Sequence, residues 1–131
     1  MLKKIFKKRI TELFEKFDKV NILISDKMAN FFGLESLGVW KVRGNGVLIL
    51  TKDDLFFGMW KPKKELVIPI KSILKIINPK SHMHRSAFKP LLKVNFKNES
   101  GDYDSAAWYV RHLNEWNEIL NGLIEKNETV T

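Results

Sequence analysis

Between residues 38 and 70, short apolar runs are cut by three sets of turn residues: Gly44-Asn45-Gly46, Lys52-Asp53-Asp54 and Lys61-Pro62-Lys63-Lys64. Runs of five or six residues are too short to be helices of their own, and their even spacing is that of an antiparallel meander. Strands are expected over residues 38–43, 47–51, 55–60 and 65–70. The Asn45-Gly46 pair favours the positive φ of a tight hairpin turn. Pro69 has no N–H to give to a ladder, which places its strand at a sheet edge or places Pro69 at a strand end.

The rest of the chain fits around this meander. Val20-Asn-Ile-Leu-Ile-Ser25 is rich in β-branched residues and reads as a strand, which residues 28–34 extend or restart. Ile73, Leu74, Ile76 and Ile77 bury a short segment, and residues 78–89 form the longest irregular stretch. Leu92, Val94 and Phe96 alternate with Lys93, Asn95 and Lys97, the period of a half-buried strand. A turn at 98–102 leads to a last strand over residues 103–110. Residues 112–125 then carry a helical stripe of Leu113, Trp116, Leu120, Leu123 and Ile124, with Ile119 alongside. The expected fold is α+β and mainly β: a bent antiparallel sheet or sandwich of about seven strands. The C-terminal helix plugs it through Trp116.

The organisation expected is a helix over 1–19, one domain over 20–125 and a frayed tail over 126–131. A chain of 131 residues with 44% hydrophobic residues suits one folded domain. It has no cysteine, which excludes disulfides and thiolate metal sites and suits a reducing compartment. No apolar run approaches the ~18 residues of a membrane span, and the basic start lacks the apolar stretch of a secretory signal.

The net charge of +8 is unevenly spread. Residues 1–19 hold seven basic and three acidic groups, residues 20–97 fourteen and five, and residues 98–131 two and seven. A basic front and an acidic tail point to an anionic partner, or to one part of the molecule complementing another.

In residues 1–19, Leu2, Ile5, Phe6, Ile10, Leu13, Phe14 and Phe17 share one helical face, while Lys3, Lys4, Lys7, Lys8 and Arg9 crowd the other side. One reading packs this helix on the domain or on a second copy of it. The other lays it in the head-group region of an anionic bilayer, with Phe6, Phe14 and Phe17 inserted. A targeting peptide would avoid Glu12, Glu15 and Asp18.

Other constellations are weaker. Lys61, Lys63 and Lys64 on one turn are either a phosphate-attracting rim or a solvated hairpin tip. His82 and His84, two residues apart, lack a third metal ligand, and Asp53-Asp54 reads as a β-turn. Arg43-Gly-Asn-Gly46 lacks the spacing of a phosphate cradle. Trp60, beside the basic turn, is either core or an exposed aromatic platform.

A strand ending in Leu-Thr, an acidic turn, a Leu-Phe-Phe strand, a basic proline turn and Leu66-Val-Ile-Pro-Ile70 with Ile73 resemble the GRAM branch of the pleckstrin-homology-like superfold. Leu91-Leu-Lys-Val-Asn-Phe96, Ala107-Trp108-Tyr109 and the Trp116 helix are similar to that pattern too. Ala29-Asn-Phe-Phe-Gly-Leu34 with Arg43-Gly-Asn-Gly46 looks like small bacterial proteins of this type. The resemblance covers about residues 20–125 and implies a non-catalytic binding module for lipids or proteins and no enzyme; no metal or cofactor is expected. It also implies that a basic cluster between early strands would bind lipid, and Lys41 and Arg43 with Lys61, Lys63 and Lys64 are the candidates. The expected partner is an anionic lipid surface at the cytoplasmic side of a membrane. A protein-interaction adaptor or homo-oligomer built on the first helix is the alternative, with nucleic acid third.

Overall fold

The apolar runs become strands, and the two flanking amphipathic segments become helices. The computed structural model describes residues 4–37, 43–83 and 85–130. The chain order is α1 (Lys4–Phe14), β1 (Ile24–Leu34), β2 (Gly44–Leu50), β3 (Asp54–Met59), β4 (Glu65–Pro69), β5 (Ile73–Ile77), β6 (Ser81–His82), β7 (Arg85–Ser86), β8 (Leu92–Lys97), β9 (Tyr103–Tyr109) and α2 (Leu113–Val130). Short 3-10 turns lie at Lys19–Asn21, Glu35–Leu37 and Ile70–Ser72.

Among the described residues seven strands form one antiparallel sheet, ordered β4-β3-β2-β1-β9-β8-β5. β4 and β5 stand at opposite edges of this order, yet only Ile70–Ser72 separates them in sequence. Four Cα steps span at most about 14 Å, whereas six strand spacings across a flat sheet come to about 28 Å. The sheet must therefore bend until its two edges approach each other. The expected mainly-β architecture with a bent sheet is the one observed.

The hollow of the bend holds the main core. Leu48, Leu50, Leu55, Phe57, Ile68, Leu92, Val94, Ala106 and Trp108 point into it, each 2% exposed or less. Phe31 packs at its centre, 4.9 Å from the Phe57 ring and 5.5 Å from Trp108. α2 closes the hollow with Trp116, Leu120 and Ile124, spaced four apart and so aligned on one face. The helix continues to Val130, through the tail expected to fray.

β1 serves both halves of the sheet. It pairs with β2 over Ile24 to Phe31 and with β9 over Asn30 to Leu34. One eleven-residue strand thus replaces the strand expected at 20–25 and its separate extension. Its register shifts between Asp26 and Ala29, and the buried Asp26 carboxylate serves that irregularity. Oδ1 accepts the Met28 N–H at 2.9 Å and Oδ2 the Arg111 N–H at 2.7 Å. Donors that the disturbed ladder leaves over are satisfied there.

Gly44-Asn45-Gly46 is not a hairpin tip. It is the first part of β2, paired with Phe31, Asn30 and Ala29. A Cβ on Gly46 would run into the Gly58 carbonyl and come within 2.6 Å of the Phe57 ring. The glycine is needed for close approach, a tertiary demand that overrides the local turn preference. The strand expected over 38–43 falls mostly outside the described residues. The Lys52-Asp53-Asp54 turn is present, held by the Thr51 hydroxyl, which accepts the N–H groups of Asp53 at 3.3 Å and Asp54 at 3.2 Å. β4 lies at a sheet edge and Pro69 ends it. The irregular stretch at 78–89 contains the small β6–β7 hairpin.

Candidate anion-binding surface

β2 and β3 are apolar on both faces. Leu48, Leu50, Leu55, Phe57 and Met59 enter the main core, while Val47, Ile49, Phe56 and Trp60 face outward. A sheet with water on one side alternates apolar with polar, so a continuous apolar run requires cover on both faces. α1 is that cover. Phe6, Ile10, Leu13, Phe14 and Phe17 pack on Val47, Ile49, Phe56 and Trp60 as a second core. Phe6 stacks on Trp60 with centroids 5.1 Å apart, and Phe17 meets Phe56 edge-on at 5.0 Å.

Gly58 is the seat of the helix. Leu13 is fully buried, and a Cβ on Gly58 would come within 2.8 Å of Leu13 Cδ1 and closer still to Cδ2. Lys16 Nζ reaches Glu65 Oε2 at 2.8 Å, and Lys63 Nζ lies 3.8 Å from Glu12 Oε2. Exposed pairs of this kind contribute about 0–1 kcal/mol each, so apolar burial holds α1 and the ion pairs orient it.

In two paired readings the packed alternative is the one observed: the first helix lies on the domain, and Trp60 is core. Phe6, Phe14 and Phe17, expected to enter a bilayer, are half-buried against the domain, because the outer face of β2 and β3 competes for them. Trp60 is only 8% exposed beneath Phe6 and offers no open aromatic platform.

The basic residues divide among several places. Lys4, Lys7 and Lys8 are exposed on the outer side of α1. Lys61, Lys63 and Lys64 are exposed on the β3–β4 turn, where Lys64 N–H donates to the Pro62 carbonyl at 2.9 Å. Lys3 and Lys41 lie outside the described residues. Arg9, assigned by charge to the solvent side, is 7% exposed, and its Nε donates to the Met59 carbonyl at 3.1 Å. It stands three residues from Phe6 and four from Leu13, and so falls inside the apolar face. Ile5, Lys8, Arg9, Glu12 and Lys63 together line a cavity of about 220 Å³. Lys8 on the helix and Lys63 on the turn, far apart in sequence, thus meet at one cavity, with Ile5 exposed beside them.

Arg43 joins a different group. Its guanidinium lies 4.3 Å from the Phe32 ring centroid, and its pKa is lowered by burial first and then by the charge of Arg85. Lys89 stands 5.6 Å over the Tyr109 ring nearby in the fold, since Phe32 and Tyr109 belong to one outer cluster.

His82 is 2% exposed, and its Nε2 donates to the Gly33 carbonyl at 3.0 Å. His84 lies outside the described residues. Among the described residues no cluster of His, Asp and Glu is placed to hold a metal ion, and no helix is long and apolar enough to cross a membrane. Burial lowers the His82 pKa from 6.5, Lys93 lowers it further, and the Gly33 bond, Glu35 and Asp104 oppose the shift. The unfolded chain therefore binds this proton more readily than the folded one. The stabilisation is complete above 6.5 and declines as pH falls through 6.5 toward the lowered folded value. Urea melts across that window are expected to show an acid-side loss that His82→Gln flattens. Parallel pH profiles for the two proteins would contradict this assignment.

No protein-family model matches the chain, and no curated protein does. Among solved structures, a chain of "The 8S snRNP Assembly Intermediate" is similar in fold, with a TM-score of 0.60 at 9% identity, covering 87% of each chain. At that identity the likeness concerns fold alone.

Proposed function

We propose that this chain is a non-catalytic binding module of pleckstrin-homology-like type that attaches to an anionic membrane surface at its cytoplasmic side. The observation that carries the reading is the meeting of Lys8 on α1 with Lys63 on the β3–β4 turn at one cavity. α1, laid apolar side down, turns Lys4, Lys7 and Lys8 outward and stands beside the turn bearing Lys61, Lys63 and Lys64. Attachment is by Coulomb attraction across the surface, with Ile5 as a shallow apolar contact, and without release of the docked phenylalanines. Each basic group near an anionic surface contributes about 1 kcal/mol, and salt screens it.

Co-sedimentation of the full chain with vesicles of phosphatidylcholine and phosphatidylserine tests the reading. Binding is expected at low salt and lost at high salt. It is also expected to be lost when Lys4, Lys7, Lys8, Lys61, Lys63 and Lys64 are all replaced by Gln. Undiminished sedimentation of that variant would overturn the proposal. A protein-interaction adaptor is the second reading, favoured by the already covered apolar face of α1. It predicts no sedimentation with any vesicle.

A further inference from the structure

The bent sheet does not close, and β4 bounds its open side. Among the described residues β4 pairs with β3 alone. The Ile70 N–H donates to the Asp53 carbonyl at 2.9 Å and the Met59 N–H to the Lys64 carbonyl at 2.8 Å. These two bonds set the phase of the ladder, because bonded and unbonded pairs alternate along antiparallel strands. Leu66 and Ile68 therefore turn their main chains toward β3, and Glu65 and Val67 turn theirs away. Pro69 is also turned away, but it has no N–H, and its carbonyl accepts the Ser72 hydroxyl at 2.7 Å. The open stretch is thus Glu65 to Val67, with Val67 53% exposed. Beside it lies a cavity of about 540 Å³ between β4 and the β8–β9 turn. Leu34, Leu66 and Phe96, which belong to the main core or pack on it, form its apolar wall, with Lys97 and Glu99 in its lining.

We infer that β4 takes an extended segment of a protein partner as an added strand, with an apolar side chain of that segment in the cavity and acidic residues at its ends. Open main-chain groups call for amides in return. A hydrocarbon ligand would bury the Val67 N–H and C=O without partners, whereas an added strand satisfies both. The apolar wall lies on the inner side of β4. The partner residue opposite Leu66 directs its side chain there, since paired residues share a face. The flanks are basic: exposed Lys64 precedes β4, exposed Lys71 follows it and Lys97 stands across the cavity, whereas Glu65 is already held by Lys16 at 2.8 Å. Edges meant to stay unpaired are blunted by charges, bulges or prolines within the strand. Leu66-Val67-Ile68 has none of these, and Pro69 protects only the end. The site goes beyond the membrane reading and shares only Lys64 with it.

The test uses the full chain labelled with ¹⁵N and a capped synthetic peptide, Asp-Glu-Phe-Val-Leu-Glu-Asp, as the probe. In the free chain the Val67 amide is expected to exchange with solvent faster than those of Leu66 and Ile68. Saturating peptide is expected to shift the Glu65 and Val67 amide signals and to slow Val67 exchange by about tenfold or more. N-methylation of one peptide residue at a time is expected to weaken binding about tenfold at alternate residues and to be silent between them, because every second residue faces β4. Lys97→Glu, an exposed substitution, is expected to weaken binding by about fivefold. Lys52→Glu, on the β2–β3 turn, is expected to change nothing.

Methylation that weakens binding at no position, or at all positions equally, would overturn the added strand. So would a Val67 amide that ignores the peptide. Octanoate serves as the hydrocarbon probe. If it shifts Leu66 and Phe96 while the peptide shifts neither, the cavity belongs to an apolar small molecule and the proposal fails. Concentration-dependent shifts at Val67 without peptide would give the edge to a second copy of the chain and reject a separate partner.

Discussion

Trp116→Ala is expected to lower the unfolding free energy by about 3–5 kcal/mol, the range for truncating a buried large aromatic. Trp116 is fully buried where α2 closes the hollow of the sheet, with Leu120 and Ile124 in line behind it. The sheet bends until its edges approach, and among the described residues α2 is the element that covers that end of its inner face. Domains of this size are stable by only about 5–15 kcal/mol, and the loss is a large share of that. Urea denaturation followed by far-UV circular dichroism measures it. A loss below about 1 kcal/mol, the ordinary cost of a surface change, would mean that α2 does not plug the core.

Leu13→Ala is expected to cost about 2–5 kcal/mol, which is large for a residue on an eleven-residue terminal helix. The size follows from its position. Leu13 is fully buried, seated on Gly58 between Val47, Ile49, Phe56 and Trp60. A helix lying loose in solvent would give up almost nothing on the same truncation. Gly58→Val attacks the seat from the other side and is expected to push α1 away from the sheet with every lysine intact. Both variants should bind more of a hydrophobic dye as the outer face of β2 and β3 opens. The freed Phe6, Phe14 and Phe17 would then be available to a bilayer, so docking and insertion compete for the same side chains.

Much of the fold was legible because local and global demands agree in the middle of the chain. The short apolar runs from Val47 to Ile70 with turns between them, the alternation at Leu92 to Phe96 and the stripe through Trp116 are local signals that the structure honours. The failures have definite causes. Gly44-Asn45-Gly46 carries a turn signal, but Gly46 faces a neighbouring backbone and ring that leave no room for a Cβ. The two strand pieces before residue 35 join through an irregularity that the Asp26 carboxylate satisfies from Arg111, a partner 85 residues away. No local pattern announces such a bond.

The candidate surface was legible in its lysines and not in its assembly. Charge alone set Arg9 with the lysines, although its place between Phe6 and Leu13 puts it on the buried face. The docking of α1 did leave a trace: Val47-Leu-Ile-Leu and Leu-Phe-Phe lack the polar alternation of a strand with one wet face. That pattern asks for a second cover, and the first helix is the amphipathic element that supplies it.

Amide hydrogen exchange along α1 tests the central claim most directly. Isolated helices of this length are marginal in water and exchange almost freely. Docked on β2 and β3, the amides of Ile10, Leu13 and Phe14 are predicted to be protected to nearly the same opening free energy as those of Val47 and Ile49, with the protection lost in Leu13→Ala. Exchange of these amides at unprotected rates in the native chain, while β2 and β3 stay protected, would contradict the docked helix and the lysine surface built on it.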